Sequence, residues 1–173
     1  MLTGFLRNFP RIQKYEDSTT CTGWGKMVAF SIISWMEAAV GFDDRFRMSA
    51  HAVITNGAGE VLMLKATYGR LSWGFPGGAL DPGETVHEAL HRECREELDC
   101  DVGVRYLSGI YHHRLLDAHG LIFRCDLPEG CEIRLSEEHS EWRYLSLDEM
   151  SPSQRKRVED CLAFDGTVRS ATF

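Results

Sequence analysis

The sequence predicts an α/β fold: a mixed β-sheet flanked by helices, behind an N-terminal helical stretch. Three observations predict it. Short segments rich in strand formers are separated by turn residues. Apolar residues recur every four positions between 85 and 98, the period of an amphipathic helix. A second helical pattern runs from 153 to 164.

Residues 48–55 alternate loosely, Asn56-Gly-Ala-Gly59 supplies turn chemistry, and residues 61–65 form a second strand. The pair reads as a hairpin. Residues 66–72 form a loop leading to Trp73-Gly-Phe-Pro-Gly77. The main helix spans about 85–98, with Thr85 near its start behind Pro82-Gly83. Residues 102–112, 121–126 and 142–145 read as strands, and 147–149 precede the second helix.

The main helix carries the most informative chemistry. Val86, Leu90, Cys94 and Leu98 form a stripe that can dock on a sheet, with Glu88, His91, Arg95 and Asp99 on the solvent side. Glu93, Glu96 and Glu97 stand at positions i, i+3 and i+4 along one border of that stripe. Like charges so placed repel by roughly 0.2–0.5 kcal/mol per pair, which a hard divalent cation would offset. Arg92, four residues from both Glu88 and Glu96, can orient acids on that border. An acidic solvated helix is the bland alternative, and the glycine turn ahead of the helix argues against it.

Gly78, Glu84, Arg92-Glu93-Cys94 and Glu96-Glu97 resemble the signature of the Nudix hydrolases, G-x5-E-x7-R-E-U-x-E-E-x-G-U with U apolar. Asp99 replaces the last glycine and Cys100 fills the final apolar position. Asp tolerates the left-handed conformation expected at a helix C-terminus, and Cys behaves as a small hydrophobe when buried. The resemblance covers about residues 47–164 and implies a Nudix-type α/β/α sandwich. It implies that the Gly77 or Gly78 carbonyl, with Glu93, Glu96 and Glu97, holds Mg2+ (Mn2+ as the alternative). It also implies hydrolysis of the pyrophosphate bond of a nucleoside diphosphate linked to another group. Glu97 or Glu93 would be the general base, with Glu138 preferred among the later acids Glu137, Glu138 and Glu141. Arg92 completes the catalytic set. Arg47, Tyr68, Arg70, Trp73 and Gly78 are the expected substrate contacts, Arg for phosphate and aromatics for stacking on a base. His139 stands between substrate contact and solvated loop, and Arg155-Lys-Arg157 reads as a solvated face. A non-catalytic nucleotide-sensing module is the alternative, and the intact acidic trio favours catalysis over it.

The 173 residues and 43% hydrophobic content suit one domain, divided here into an extension, 1–46, and a Nudix domain, 47–173. A net charge of −7 argues against clamping long nucleic acid, RNA decapping included, though not against a small phosphorylated substrate. Six cysteines without a C-x-x-C pair, and no secretion signal, predict reduced thiols in a cytoplasm. The spacings Cys94/Cys100 and Cys125/Cys131 support zinc only weakly. Residues 27–40 are apolar on nearly every face, about 14 residues against the ~20 that span a membrane. They predict a buried helix ended by Gly41, packed against its own domain or a second copy, with the homodimer contact favoured and membrane association placed behind both.

Overall fold

In the computed structural model, residues 45–69 and 71–173 are described. The helix expected at 27–40 and the dimer contact assigned to it lie outside these residues, as does Arg70.

The elements run β1 (Arg47–Val53), β2 (Val61–Ala66), β3 (Trp73–Gly74), β4 (Gly77–Ala79), α1 (Val86–Leu98), β5 (Gly103–His113), β6 (Ala118–Asp126), β7 (His139–Leu145), a 3-10 turn (Leu147–Glu149), α2 (Pro152–Leu162) and β8 (Arg169–Thr172). A five-stranded sheet has the order β4-β1-β6-β5-β8, and a three-stranded sheet the order β3-β2-β7. The β1–β6 and β5–β8 pairs are parallel and the rest antiparallel, so the larger sheet is mixed as expected.

Strand alternation creates two cores. In β1 and the residue after it, Ala50, Ala52 and Ile54 face one cluster and Val53 the other. In β2, Leu62 and Leu64 face the first, Val61 and Met63 the second. In β6, Leu121, Phe123 and Cys125 face the first and Ile122 the second. Helix α1 covers the first core with Leu90, Cys94 and Leu98, the stripe the sequence predicts. Met150, Val158 and Cys161, from the 3-10 turn's end and α2, cover the second. The result is the α/β/α sandwich, with strands buried on both faces and correspondingly apolar.

Two sequence-based expectations fail. Strands β1 and β2 do not form a hairpin: they belong to different sheets, and the turn between them closes on a Thr55–Val61 bridge and two hydrogen bonds, Leu62 N–H to the Ile54 carbonyl at 2.8 Å and Asn56 N–H to the Glu60 carbonyl at 3.0 Å. Asn56 does make the turn, its Oδ1 accepting from Ala58 and Glu60 N–H. The partners that win β1 are β4 and β6, which lie far along the chain and so leave no local signal. The thiols are not all free either. Cys100 is disulfide-bonded to Cys131, while Cys94, Cys125 and Cys161 are free and buried.

Among the described residues no helix is long and apolar enough to cross a membrane.

Candidate active site

Helix α1 is fixed at both ends by local chemistry. Thr85 caps it, accepting from Glu88 N–H at 3.2 Å while Glu88 accepts from Thr85 N–H at 2.8 Å. Asp99 closes it in the left-handed conformation, φ 56°, as the departure from glycine predicts. The three acids then fall into graded surroundings. The Glu97 side chain is 8% exposed, Glu93 16% and Glu96 59%.

The glycine turn meets the helix at two atoms. Gly77, in strand β4 and with φ 122°, donates its N–H to Glu97 Oε2 at 2.7 Å. A Cβ on Gly77 would lie 2.1 Å from the Ala50 carbonyl oxygen, so only glycine fits. A Cβ on Gly78 would lie 2.5 Å from the Glu93 carboxyl carbon, so the missing side chain is what lets that carboxylate sit against the backbone.

Arg92 organises the acids. Its Nε and Nη2 donate to the two Glu84 oxygens at 2.7 and 2.9 Å. Nη1 donates to Glu93 at 2.8 Å and Glu96 at 3.2 Å, and Nη2 also donates to the Ala79 carbonyl at 3.0 Å. This bidentate pairing holds Glu84 down to about 2. Arg92, expected in the catalytic set, is therefore engaged on every side as an orienting group, which follows from its reach to Glu96 one turn on. Burial pushes Glu97 up to about 8, against the Gly77 hydrogen bond, with the charges of Glu93, Glu138 and Glu96 adding to the rise. Burial also raises Glu93, and the Arg92 hydrogen bond and charge oppose it.

The charge of Glu138 adds to the rise of both Glu93 and Glu97, after burial. Its backbone carbonyl is fixed by Thr67, whose N–H and hydroxyl donate at 2.9 and 3.0 Å. Glu141 is instead paired with Lys65 and Arg143. His139 joins the site outright: Nε2 lies 3.6 Å from Glu97 Oε1, and Nδ1 is buried without a partner. A register irregularity brings it there, since Lys65 pairs with Glu141 but Ala66 with His139, leaving Ser140 as the extra residue. Such bulges re-aim side chains.

The site opens onto a cleft of about 750 Å³ between the sheets, lined by Glu97, Gly77, His139, Tyr68, His113 and Arg157 among others. Tyr68, exposed at the rim, feels the charges of Glu138, Glu97 and Glu93. Trp73 does not face the cleft. Ser72 and Gly74 line it, so strand alternation turns the indole to the far side, where Lys65 and Arg143 lie 5.9 and 5.7 Å from its ring centre. Arg47 is exposed where β1 begins, opposite Ala118, and does not line the cleft either. Arg157, expected on a solvated face, lies over Tyr111 and Phe173 instead. His51, His113 and Arg157 come from β1, β5 and α2, and no spacing in the sequence connects them.

The donors suit a hard divalent ion. Among the described residues no three acidic, His or Cys side chains converge into a ready cage. Mg2+ does not demand one, because it keeps several waters and takes only one or two carboxylates beside substrate phosphates. Glu93, Glu96 and Glu97, grouped on α1 beside the glycine turn, are the hard oxygen donors such an ion takes.

The structure thus presents a mixed α/β sandwich in which an acidic helix docks on a glycine turn beside a cleft. The NUDIX domain model matches residues 45–162, and the chain belongs to that family of hydrolases. A MutT protein from Methanosarcina mazei Go1 superposes with TM-score 0.58 at 25% identity, covering 73% of this chain and 100% of that one. An ADP-ribose pyrophosphatase from Streptococcus suis 89-1591 shares the fold, with TM-score 0.61 at 20% identity over 73% of this chain and 100% of its own. Over 56 residues the chain is 46% identical to an RNA pyrophosphohydrolase of Yersinia enterocolitica, covering 32% of this chain and 31% of that protein. The chain thus spans about a third of the length of the curated relatives it matches.

Proposed function

We propose that the protein is a Mg2+-dependent pyrophosphohydrolase acting on a nucleoside diphosphate linked to another moiety: a nucleotide sugar, ADP-ribose or a nucleoside triphosphate. The observation that carries this is the buried Glu97 carboxyl, held by Gly77 N–H, beside Glu93 and His139 at the mouth of a large cleft. Glu93, Glu96 and Glu97, with the Gly77 carbonyl, would hold the ion, which neutralises pyrophosphate charge and polarises a phosphate oxygen when bound. Arg92 keeps Glu93 and Glu96 oriented in advance. Water attacks phosphorus, a new P–O bond forms, the bridging P–O bond breaks, and the water proton passes to a carboxylate. Glu97 or Glu93 on the helix, or Glu138 from the later loop, serves as the base, Glu97 being more shielded than Glu93. His139 shields and steers the Glu97 carboxyl from the start of strand β7.

The test is product release across nucleotide sugars, dinucleotides and nucleoside triphosphates, with and without Mg2+. Glu97→Gln should cut turnover by roughly 10²–10⁴-fold with the circular dichroism spectrum unchanged. Wild-type rates in that variant would refute the role. Inactivity on every substrate, with tight binding of one, would favour a nucleotide sensor. Hydrolysis on RNA is a second reading, supported by the 46% identical stretch shared with the Yersinia protein. Residues 1–46 are proposed as a separate extension that makes a homodimer contact, to be checked by comparing the solution size of the full chain and of residues 47–173.

A further inference from the structure

We propose that the cleft ends in a subsite that reads the acceptor edge of a 6-oxopurine, with Arg157 as the residue that sets base selectivity. The inference rests on the hydrolase reading for the phosphates, but it stands on residues that reading does not use.

Arg157 is an arginine with its counterions removed. Its guanidinium lies 5.6 Å from the Tyr111 ring centre and 5.3 Å from that of Phe173. Nε is buried without a hydrogen-bond partner, and among the described residues no carboxylate pairs with the group. Acids are close by, yet each is spent elsewhere. Asp160, three residues on, accepts from the Tyr111 hydroxyl at 2.9 Å and pairs with Lys156. Asp148 is taken by Arg155 at 3.3 Å. A partly buried guanidinium whose Nε lacks a partner carries a desolvation cost, and the aromatic faces offset only part of it. Such a group is completed by a ligand that brings acceptors.

The surroundings say which acceptors. Leu64, Phe75, Leu115, Leu116 and the Tyr68 ring line the cleft and make its walls apolar and partly aromatic. That suits a flat ring more than a phosphate. His113 lines the same cleft, and its Nδ1 is buried without a partner. Gln154 also lines it but has nothing to offer. Its Nε2 donates to the Trp73 carbonyl at 2.7 Å and its Oε1 accepts from Ser151. His51 stays neutral, driven down to about 4 by burial and then by the Arg157 charge. The floor therefore carries one positive charge on a planar donor fork. An arginine fork matches two adjacent acceptors such as O6 and N7 of a 6-oxopurine. Adenine puts an amino donor at that place and leaves one arm of the fork facing a donor. With the base on Arg157, the phosphates run toward Gly77 and Glu97 in the same cleft.

The experiment is calorimetric titration of the full chain with GMP, IMP, AMP and inorganic pyrophosphate, without divalent ion. Wild type should bind GMP and IMP about tenfold more tightly than AMP. Arg157→Met should erase that preference, and Arg157→Lys, which keeps charge but not the fork, should fail to restore it. Equal wild-type affinities, or an unchanged preference in Arg157→Met, would overturn the subsite. So would a loss of pyrophosphate binding equal to the loss of GMP binding, because the floor would then read phosphate. If Arg157→Met does not fold, His113→Ala carries the same comparison, and an unchanged GMP-to-AMP ratio there overturns the proposal. Turnover separates the two readings: a selective subsite in a chain that hydrolyses nothing sinks the hydrolase alone, and hydrolysis with no Arg157 effect sinks the subsite alone.

Discussion

Glu97 shows what burial does to a single carboxyl. Its folded value of about 8 lies above the ordinary 4.5, so between those limits the folded, metal-free protein holds a proton that the unfolded chain has released. Stability of the metal-free protein should then fall as pH rises through that window and stay low above it. His51 acts in the opposite sense only below 6.5, where the unfolded imidazole charges first. The clean test is therefore the melting temperature from 6.5 to 8, which should decline in wild type and stay level in Glu97→Gln. The two glycines give a second contrast. Gly78→Ala has an acceptable backbone but pushes on the Glu93 carboxylate, so turnover should drop at least about tenfold with little loss of stability. Gly77→Ala meets the Ala50 carbonyl in a left-handed backbone and should fail as a fold instead, read as loss of soluble, cooperatively melting protein. Glu93, Glu97 and Gly78 were legible in the sequence because one helix and one turn carry them at set spacing. Arg157 and His113 were not, since only tertiary packing removes their partners.

At the scale of elements, α1 was legible because its apolar period, cap and terminal Asp99 agree. Thr85→Ala removes the side-chain acceptor of the capping box, leaving the backbone bond to Glu88, and should cost about 1 kcal/mol in chemical denaturation, with activity retained. The β1–β2 hairpin misled for a physical reason: turn residues specify a reversal of direction, not which strand is recruited afterwards. Strand β7 carries the opposite lesson. The extra Ser140 that delivers His139 to Glu97 is a register event between distant strands, invisible to local alternation.

For the whole molecule, the Cys100–Cys131 bond ties the segment after α1 to the loop that leads to β7, across 31 residues. Closing a loop of that length stabilises by about 3–4 kcal/mol in the chain-entropy account. Cys131→Ser, or a dithiol reductant on wild type, should lower the melting temperature, and a curve unmoved by either would contradict the bond's contribution. Arg134 pins the same loop, its N–H donating to the Leu98 carbonyl at 3.0 Å. Strand β2 has a wider effect. Because Leu62 and Leu64 feed one core while Val61 and Met63 feed the other, loosening either layer pulls on the same four-residue segment. The two halves of the sandwich are thus thermodynamically yoked, because a form that keeps the acidic helix but sheds the opposite layer would strip Val61 and Met63 of their cover.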